Sequence, residues 1–69
     1  MMTINIYRDN KVIKTFNEVD NDFYALRWLL NNQGNSCDHA IRYEGYKVEL
    51  IDNDTNKIQY WKHSGNYNK

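Results

Sequence analysis

The chain has 69 residues, and its nine Lys and Arg balance its nine Asp and Glu to give a formal net charge of zero at pH 7. Hydrophobic residues make up 41% of the sequence, which suffices for one small core and argues against a wholly disordered chain. The neutral balance disfavours a general nucleic-acid clamp, since such a protein needs a basic excess. Residues 1–69 are therefore predicted to form one small domain.

Residues 3–8 and 11–16 are predicted to form a β-hairpin. In the first segment Ile4 and Ile6 alternate with more polar residues, which gives the strand one apolar face. The second segment is rich in β-branched and aromatic residues, which favour strands. The Asp-Asn pair at positions 9–10 suits a tight turn because both residue types tolerate a positive φ.

Residues 20–32 change to a helical period. Asp20 or Asn21 can cap the helix, Asp22 favours its first turn, and Gly34 is expected to end it. The stripe expected to face the core groups Val19, Phe23, Leu26 and Leu30, with Leu29 and Ala25 to one side.

A connector at 35–39 is expected to lead into a short strand at 40–44. Residues 46–52 then alternate well, and residues 57–63 are the predicted returning strand of a second hairpin. The tail at 64–69 is expected to fray, which leaves an ordered core of about 3–63.

Two registers of the second hairpin remain open. A four-residue loop at 53–56 would pair Val48 with Trp61, whereas a bulged loop would pair Leu50 with Tyr60. Tyr46, Val48 and Leu50 share one face of their strand in either register.

The predicted fold is α+β, with the order β-hairpin, helix, short strand, β-hairpin. It gives an antiparallel sheet of about four or five strands with one helix packed on one face. Over residues 3–63 this order resembles the β-grasp folds of ubiquitin and of immunoglobulin-binding bacterial domains. The resemblance implies a topology and no specific function, because small folds host many functions.

Neither an enzyme nor a metal or cofactor site is expected. Cys37 and His39 resemble half of a reactive or metal-binding pair, but a zinc site needs four ligands. Residues 52–56 resemble the start of a calcium loop, yet Lys57 stands where Gly is required and His63 where Glu is required. Turn chemistry explains these Asp and Asn residues without a cation.

The predicted binding surface lies on the helix. Tyr24 and Trp28 are four residues apart, so they stack on one side, which the expected core stripe leaves pointing away from the sheet. Arg27 borders this pair and Asn31 lies beside it. Trp, Tyr and Arg are enriched at binding hot spots, which favours contact with a partner protein. The alternative is that the 34–45 connector or the tail covers this face.

A second candidate surface is the sheet face that the helix leaves open. Whichever register holds, some of the sheet aromatics must lie there; they are Tyr7, Tyr43, Tyr46, Tyr60 and Trp61. Of these, Tyr7 and Trp61 are taken as further partner-contact candidates. Aromatics among basic residues can stack single-stranded bases, so nucleic-acid binding is the alternative function. Its phosphate contacts would come from Arg8, Lys14, Arg42, Lys47 and Lys62.

The first seven residues lack the pattern of a signal peptide, and no run of about 18 apolar residues is present. Cys37 has no second cysteine with which to form an intrachain disulfide. A cytoplasmic location without membrane contact is therefore expected. Monomer and homodimer remain open.

A tandem Met start, 11 asparagines and segments such as DHAIRYEGYKVELID and IDNDTNKIQYW accompany this single small domain. Together they resemble small accessory proteins of bacteriophages and prophages of AT-rich Gram-positive bacteria. Members of that group include anti-CRISPR and other anti-defence inhibitors, which occupy a functional surface of a host protein. The resemblance implies non-enzymatic binding of a host protein, with a CRISPR effector as the leading candidate, in the bacterial host cell.

Overall fold

The computed structural model describes residues 1–34 and 36–61, which form a four-stranded antiparallel sheet with two helices. The elements in chain order are β1 (Met2–Arg8), β2 (Lys11–Val19), α1 (Phe23–Gln33), α2 (Cys37–Tyr43), β3 (Tyr46–Asp52) and β4 (Ile58–Tyr60). The α+β class is confirmed, and the single helix is corrected to two. The predicted strand end at 62–63 and the tail at 64–69 lie outside the described residues.

The strand order is β2-β1-β3-β4, and every neighbouring pair is antiparallel. A β-grasp sheet instead places its first and last strands side by side and parallel. Here β1 pairs with β3, and β4 lies at an edge, so the β-grasp resemblance is wrong for this sheet. The helices connect β2 to β3 across the intervening strand β1.

The first hairpin is confirmed. Asp9 and Asn10 adopt φ values of 52° and 69°, the left-handed conformation that a two-residue turn requires. The pairing of β1 with β2 is irregular at two points. At each point β2 contains one more residue than the segment of β1 that it pairs with. The extra residues fall at Ile13 and near Glu18, whose φ is 55°.

The second hairpin adopts the register of the four-residue loop. Glu49 pairs with Tyr60, and the Trp61 amide donates a hydrogen bond to the Val48 carbonyl at 3.0 Å. The Asp52 carboxylate holds the turn by accepting bonds from the amides of Asp54 at 2.8 Å and Thr55 at 3.3 Å. These amide bonds hold the pKa of Asp52 below its ordinary value.

The core lies between one face of the sheet and both helices. The two central strands supply the alternating positions predicted for them, and the helices supply mostly small side chains. The buried residues are Ile4, Ile6, Ala25, Leu29, Cys37, Ala40, Tyr46, Val48, Leu50 and Trp61. The Tyr46 hydroxyl donates to the Gln33 side-chain oxygen at 2.7 Å and so ties β3 to the end of α1.

The predicted core stripe of α1 is wrong. Ala25 and Leu29 are fully buried, whereas Phe23 is 62% and Leu30 57% exposed. Val19 and Leu26 are half-buried and pack against the core. The physical reason is that the first two turns of α1 carry apolar side chains on most sides. The spacing of apolar residues alone therefore does not select the face that is buried. The helix buries the side that carries Ala25 and Leu29, which join the same core cluster as Cys37 and Ala40 of α2.

The short strand predicted at 40–44 is also wrong, because this segment belongs to α2. The Ser36 hydroxyl caps that helix by accepting a bond from the His39 amide at 3.2 Å. Asp38 lies in the first turn and Arg42 in the last, both favourable for the helix dipole. Cys37 and Ala40 are three residues apart and both face the core, which is a helical spacing.

Gly45 ends α2 and places it against the first hairpin. Its φ is 77°, and its carbonyl accepts a hydrogen bond from the Asp9 amide at 3.2 Å. A Cβ atom at this position would lie 2.8 Å from the Asp9 carboxylate, whereas Gly34, at φ 71°, has open space around it. The two glycines therefore share a backbone conformation and differ in their surroundings.

Leu29→Ala and Leu30→Ala are expected to differ sharply in stability. Leu29→Ala leaves a cavity in the core and should lower the free energy of unfolding by about 2–5 kcal/mol. Leu30→Ala removes exposed surface and should change it by about 0.5 kcal/mol or less. Urea denaturation of the two variants measures the difference. The reverse order would restore the stripe predicted from the period.

Gly45→Ala is expected to destabilise the fold more than Gly34→Ala. Both substitutions place Ala in the left-handed region, at a cost of about 1–2 kcal/mol. Gly45→Ala also forces the Asp9 side chain to move. Urea denaturation measures the free energies of unfolding. In an Asp9→Gly background, Gly45→Ala should lower the free energy of unfolding by no more than Gly34→Ala does. An excess that persists there would mean that Asp9 is not its cause.

Candidate functional site

The outer face of α1 carries two large apolar side chains that the fold leaves exposed. We define it by Phe23, Arg27, Leu30 and Asn31, all of which are exposed. Their spacing of i, i+4, i+7 and i+8 places them along one side of the helix. Two large apolar side chains thus flank one cation, and exposed apolar patches of this kind mark sites of interaction.

A cleft of about 170 Å³ opens at the N-terminal end of this face. Its lining consists of Asn21, Phe23, Tyr24 and Arg27. The Asn21 side-chain oxygen accepts a bond from the Phe23 amide at 2.9 Å, and its nitrogen donates to Asp20 at 3.0 Å. Asn21 is therefore engaged in the turn before the helix, and Arg27 is the charged group of the cleft.

The rotation of α1 leaves Tyr24 and Trp28 of the predicted pair in different environments. Tyr24 remains 45% exposed and packs on the β2 side, with its ring centre 5.8 Å from that of Phe16. Trp28 is half-buried against the core, where it covers the flank of the helix. Among the predicted contact residues, Tyr24, Arg27 and Asn31 are exposed on α1, and Trp28 is largely withdrawn from solvent.

The other two predicted contact residues lie elsewhere. Trp61 is buried on the helix side of the sheet, and the aromatic ring of Tyr46 shares that core. Tyr7 lies on the opposite face of the sheet and is half-buried there. The structure therefore does not bring Tyr7 or Trp61 together with the outer face of α1.

The open face of the sheet is organised around Glu49. Its carboxylate accepts bonds from the side-chain amide nitrogen of Asn5 at 2.9 Å, the Tyr7 hydroxyl at 3.2 Å and the Tyr60 hydroxyl at 3.3 Å. The Thr15 hydroxyl extends this network by donating to the Asn5 side-chain oxygen at 2.8 Å. One acidic side chain thus links residues from four strands across the face.

Lys47 completes this cluster by lying between two aromatic rings. Its ammonium nitrogen is 4.7 Å from the centre of the Tyr7 ring and 5.4 Å from that of Tyr60, within the range of cation–π attraction. Partial burial, and next the Glu49 carboxylate, raise the pKa of both tyrosines above its ordinary value. Both phenols are therefore held in their neutral, donating form.

The basic residues proposed for phosphate contact do not converge on this open face. Lys47 lies there, whereas Lys14 pairs with Ile6 on the helix side and lies 5.2 Å from the Phe16 ring centre. Arg8 packs over the Tyr46 ring, Arg42 belongs to α2, and Lys62 lies outside the described residues. Of these basic residues, Lys47 is the one that the described part of the chain places on the open face, beside the rings of Tyr7 and Tyr60 and the Glu49 carboxylate.

Cys37 and His39 point in different directions because they occupy a helix and not a strand. Cys37 is buried, and desolvation, followed by the charges of Asp22 and Asp38, raises its pKa to about 12. His39 is exposed, and its Nε2 lies 3.4 Å from the Glu44 carboxylate. Within residues 1–34 and 36–61, no three His, Cys, Asp or Glu side chains are grouped to hold a metal ion.

Sequence reasoning missed Phe23, Leu30 and Glu49. The two apolar residues were assigned to the core because their i, i+7 spacing fits a stripe as well as an exposed ridge. Glu49 lies between Val48 and Leu50, so alternation separates it from their face without indicating its partners. The register places Glu49 opposite Asn5 and Tyr60, with Tyr7 diagonal to it, and this arrangement depends on the pairing of three strands.

Comparisons of the chain with protein-family models, with curated proteins and with solved structures give no match. Neither α1 nor α2 has the length and apolar character that a membrane-crossing helix needs, as judged over the described part of the chain.

Glu49→Gln is expected to lower the pKa of Tyr7 and Tyr60, because the variant removes a negative charge beside their phenols. Because the pKa is raised in the folded state, the neutral phenols stabilise the fold fully at pH values below the ordinary tyrosine pKa of about 10. That stabilisation is lost as the pH rises through the folded value. The free energy of unfolding should therefore fall more steeply at alkaline pH in the wild type than in the variant.

Ultraviolet titration of phenolate absorbance and urea denaturation across the alkaline range measure both effects. Glu18→Gln, an exposed carboxylate on β2, is the matched control and should leave the wild-type titration unchanged. Equal titration curves for the wild type and Glu49→Gln would contradict the role assigned to Glu49.

Proposed function

We propose that the chain is a non-enzymatic binding protein that inhibits a host protein by occupying its functional surface. The outer face of α1 is the contact surface in this proposal. The observation that carries it is the exposure of Phe23 and Leu30 on either side of Arg27. Exposed apolar side chains that share one helix face favour contact with a partner.

The energetics support this surface. Fully burying a Phe or Leu side chain is worth about 1.5–3 kcal/mol, so Phe23 and Leu30 together can supply a large part of a binding free energy. Arg27 adds charge and hydrogen-bond donors at the centre of the face. The fold also holds the face in place, because Leu29 on the opposite side of the same helix is fully buried.

The groups with perturbed pKa values elsewhere in the fold have structural roles, which supports binding over catalysis. The Cys37 thiol is buried in the core with a pKa of about 12, so it is not a ready nucleophile. The phenols of Tyr7 and Tyr60 are raised in pKa and donate to Glu49. The resemblance to phage accessory proteins adds the biological setting: an anti-defence role with a CRISPR effector as the host target.

The test is a target-DNA cleavage assay with purified CRISPR effector–guide complexes from Gram-positive bacteria. Stoichiometric inhibition by the wild-type chain is expected. Phe23→Ser/Leu30→Ser should raise the concentration needed for half inhibition by about thirtyfold or more, since each hot spot is worth roughly 2 kcal/mol. Circular dichroism should show an unchanged fold, because both side chains are exposed.

Val12→Ser/Ile13→Ser is the matched control, since it removes two exposed apolar side chains from β2. This control should inhibit as the wild type does. Equal inhibition by the α1 variant and the wild type would reject the outer face of α1. Absence of inhibition across the effector panel would reject the anti-CRISPR role.

A further inference from the structure

We propose that the cleft at Asn21, Phe23, Tyr24 and Arg27 binds a carboxylate side chain of the partner protein, with Arg27 as its ion-pair donor. The inference rests on the proposed function, because it specifies the chemistry of the protein that the outer face of α1 contacts. The partner segment it requires is an Asp or Glu flanked by apolar residues.

The charge of Arg27 is the first argument. Arg27 is the one charged residue in α1, whose sequence is FYALRWLLNNQ. The ion pairs among the described residues join Met1 to Asp54, and Arg8 and His39 to Glu44, so Arg27 takes part in none of them. A docked partner would remove water from this guanidinium, and a buried cation without a counter-charge is strongly unfavourable. The partner therefore has to supply an anion.

The surroundings of Arg27 indicate a single carboxylate in preference to a phosphate chain. Asp20 and Asp22 precede the helix, and Arg27 is the one cation that lines the cleft. A polyanion would be repelled by these two carboxylates, and Arg27 alone would have to balance its several charges. A single carboxylate carries one charge, which one guanidinium balances. An Arg fork binds a carboxylate through two parallel hydrogen bonds.

The apolar neighbours favour a protein as the source of that carboxylate. Phe23 lines the cleft, and Leu30 lies about two helical turns further along the same side of α1. Apolar contacts on both sides exclude water from an ion pair between them and so strengthen it. A small free anion would leave both side chains in water.

A second copy of the chain fits this face poorly. In a two-fold antiparallel pairing of α1 with its copy, residues near the middle of the contact oppose themselves. Arg27 lies between Phe23 and Leu30, so the two guanidinium groups would meet near the axis. Like charges in that position are unfavourable, which argues for a partner of different sequence.

A ribosome-displayed library of random peptides tests the inference without knowledge of the natural partner. The library is selected on the wild-type chain and counter-selected on Phe23→Ser/Leu30→Ser. Enriched peptides should carry Asp or Glu next to Leu, Ile or Phe. Arg27→Glu should weaken their binding by about thirtyfold or more and Arg27→Lys by less, since Lys keeps the charge without the fork. Lys11→Glu, at an exposed cation of β2, should change binding by about twofold or less.

Several results would overturn the inference. These are enrichment of peptides without acidic residues, equal binding by Arg27→Glu and the wild type, no enrichment at all, or a wild-type dimer that Phe23→Ser/Leu30→Ser dissolves. Other results distinguish failure of this site from failure of the proposed function. Acidic peptides that bind through Arg27, together with no inhibition of any effector, would retain this site and reject the anti-CRISPR role. Inhibition of an effector that Arg27→Glu leaves unchanged would retain the anti-CRISPR role and reject this site.

Discussion

Small buried side chains on both helices allow α1 and α2 to share one core over the sheet. Ala25 of α1 and Cys37 and Ala40 of α2 are all buried in one cluster. Because these side chains have little volume, both helices can lie close together over a sheet of four strands. Leu29 is the one large side chain of α1 that is fully buried in this cluster. Burial of Ala25 and Leu29 therefore defines which side of α1 faces the core.

The rotation divides the apolar residues of α1 between two roles. Leu26 and Trp28 lie at the flanks and seal the sides of the core, while Phe23 and Leu30 are left in solvent. On the opposite face of the sheet, Glu49 and its hydroxyl and amide donors form a polar network. This network and the exposed apolar side chains of α1 differ in the partners that they suit.

The strands were more predictable than the helices. Alternation grouped Ile4 with Ile6, and Tyr46 with Val48 and Leu50, because a strand offers only two faces, and the structure buries both groups in the core. The Asp-Asn turn at 9–10 followed from the tolerance of both residues for positive φ. A helix offers a continuous range of faces, and α1 is apolar on most of them. The period therefore did not select the core side of α1, and the 40–44 segment was predicted as a strand because the Ser36 cap of α2 was not recognised.

The candidate site was accordingly half predictable. Tyr24, Arg27 and Asn31 were identified as exposed from the sequence, and the structure leaves them so. Phe23 and Leu30 required knowledge of a long-range contact, since nothing local separates them from Ala25 and Leu29. Pairing between distant strands likewise brought Tyr7 and Tyr60 to Glu49.

The two irregularities of β2 affect how the molecule can associate. This strand forms one edge of the sheet and has nine residues, long enough to attract the backbone of another chain. The extra residues at Ile13 and near Glu18 interrupt its regular ladder and leave only a few successive residues in step between them. A foreign strand would lose register after a short distance. The molecule thus discourages indiscriminate stacking into fibres, and association through side chains, with its greater selectivity, becomes the favoured route.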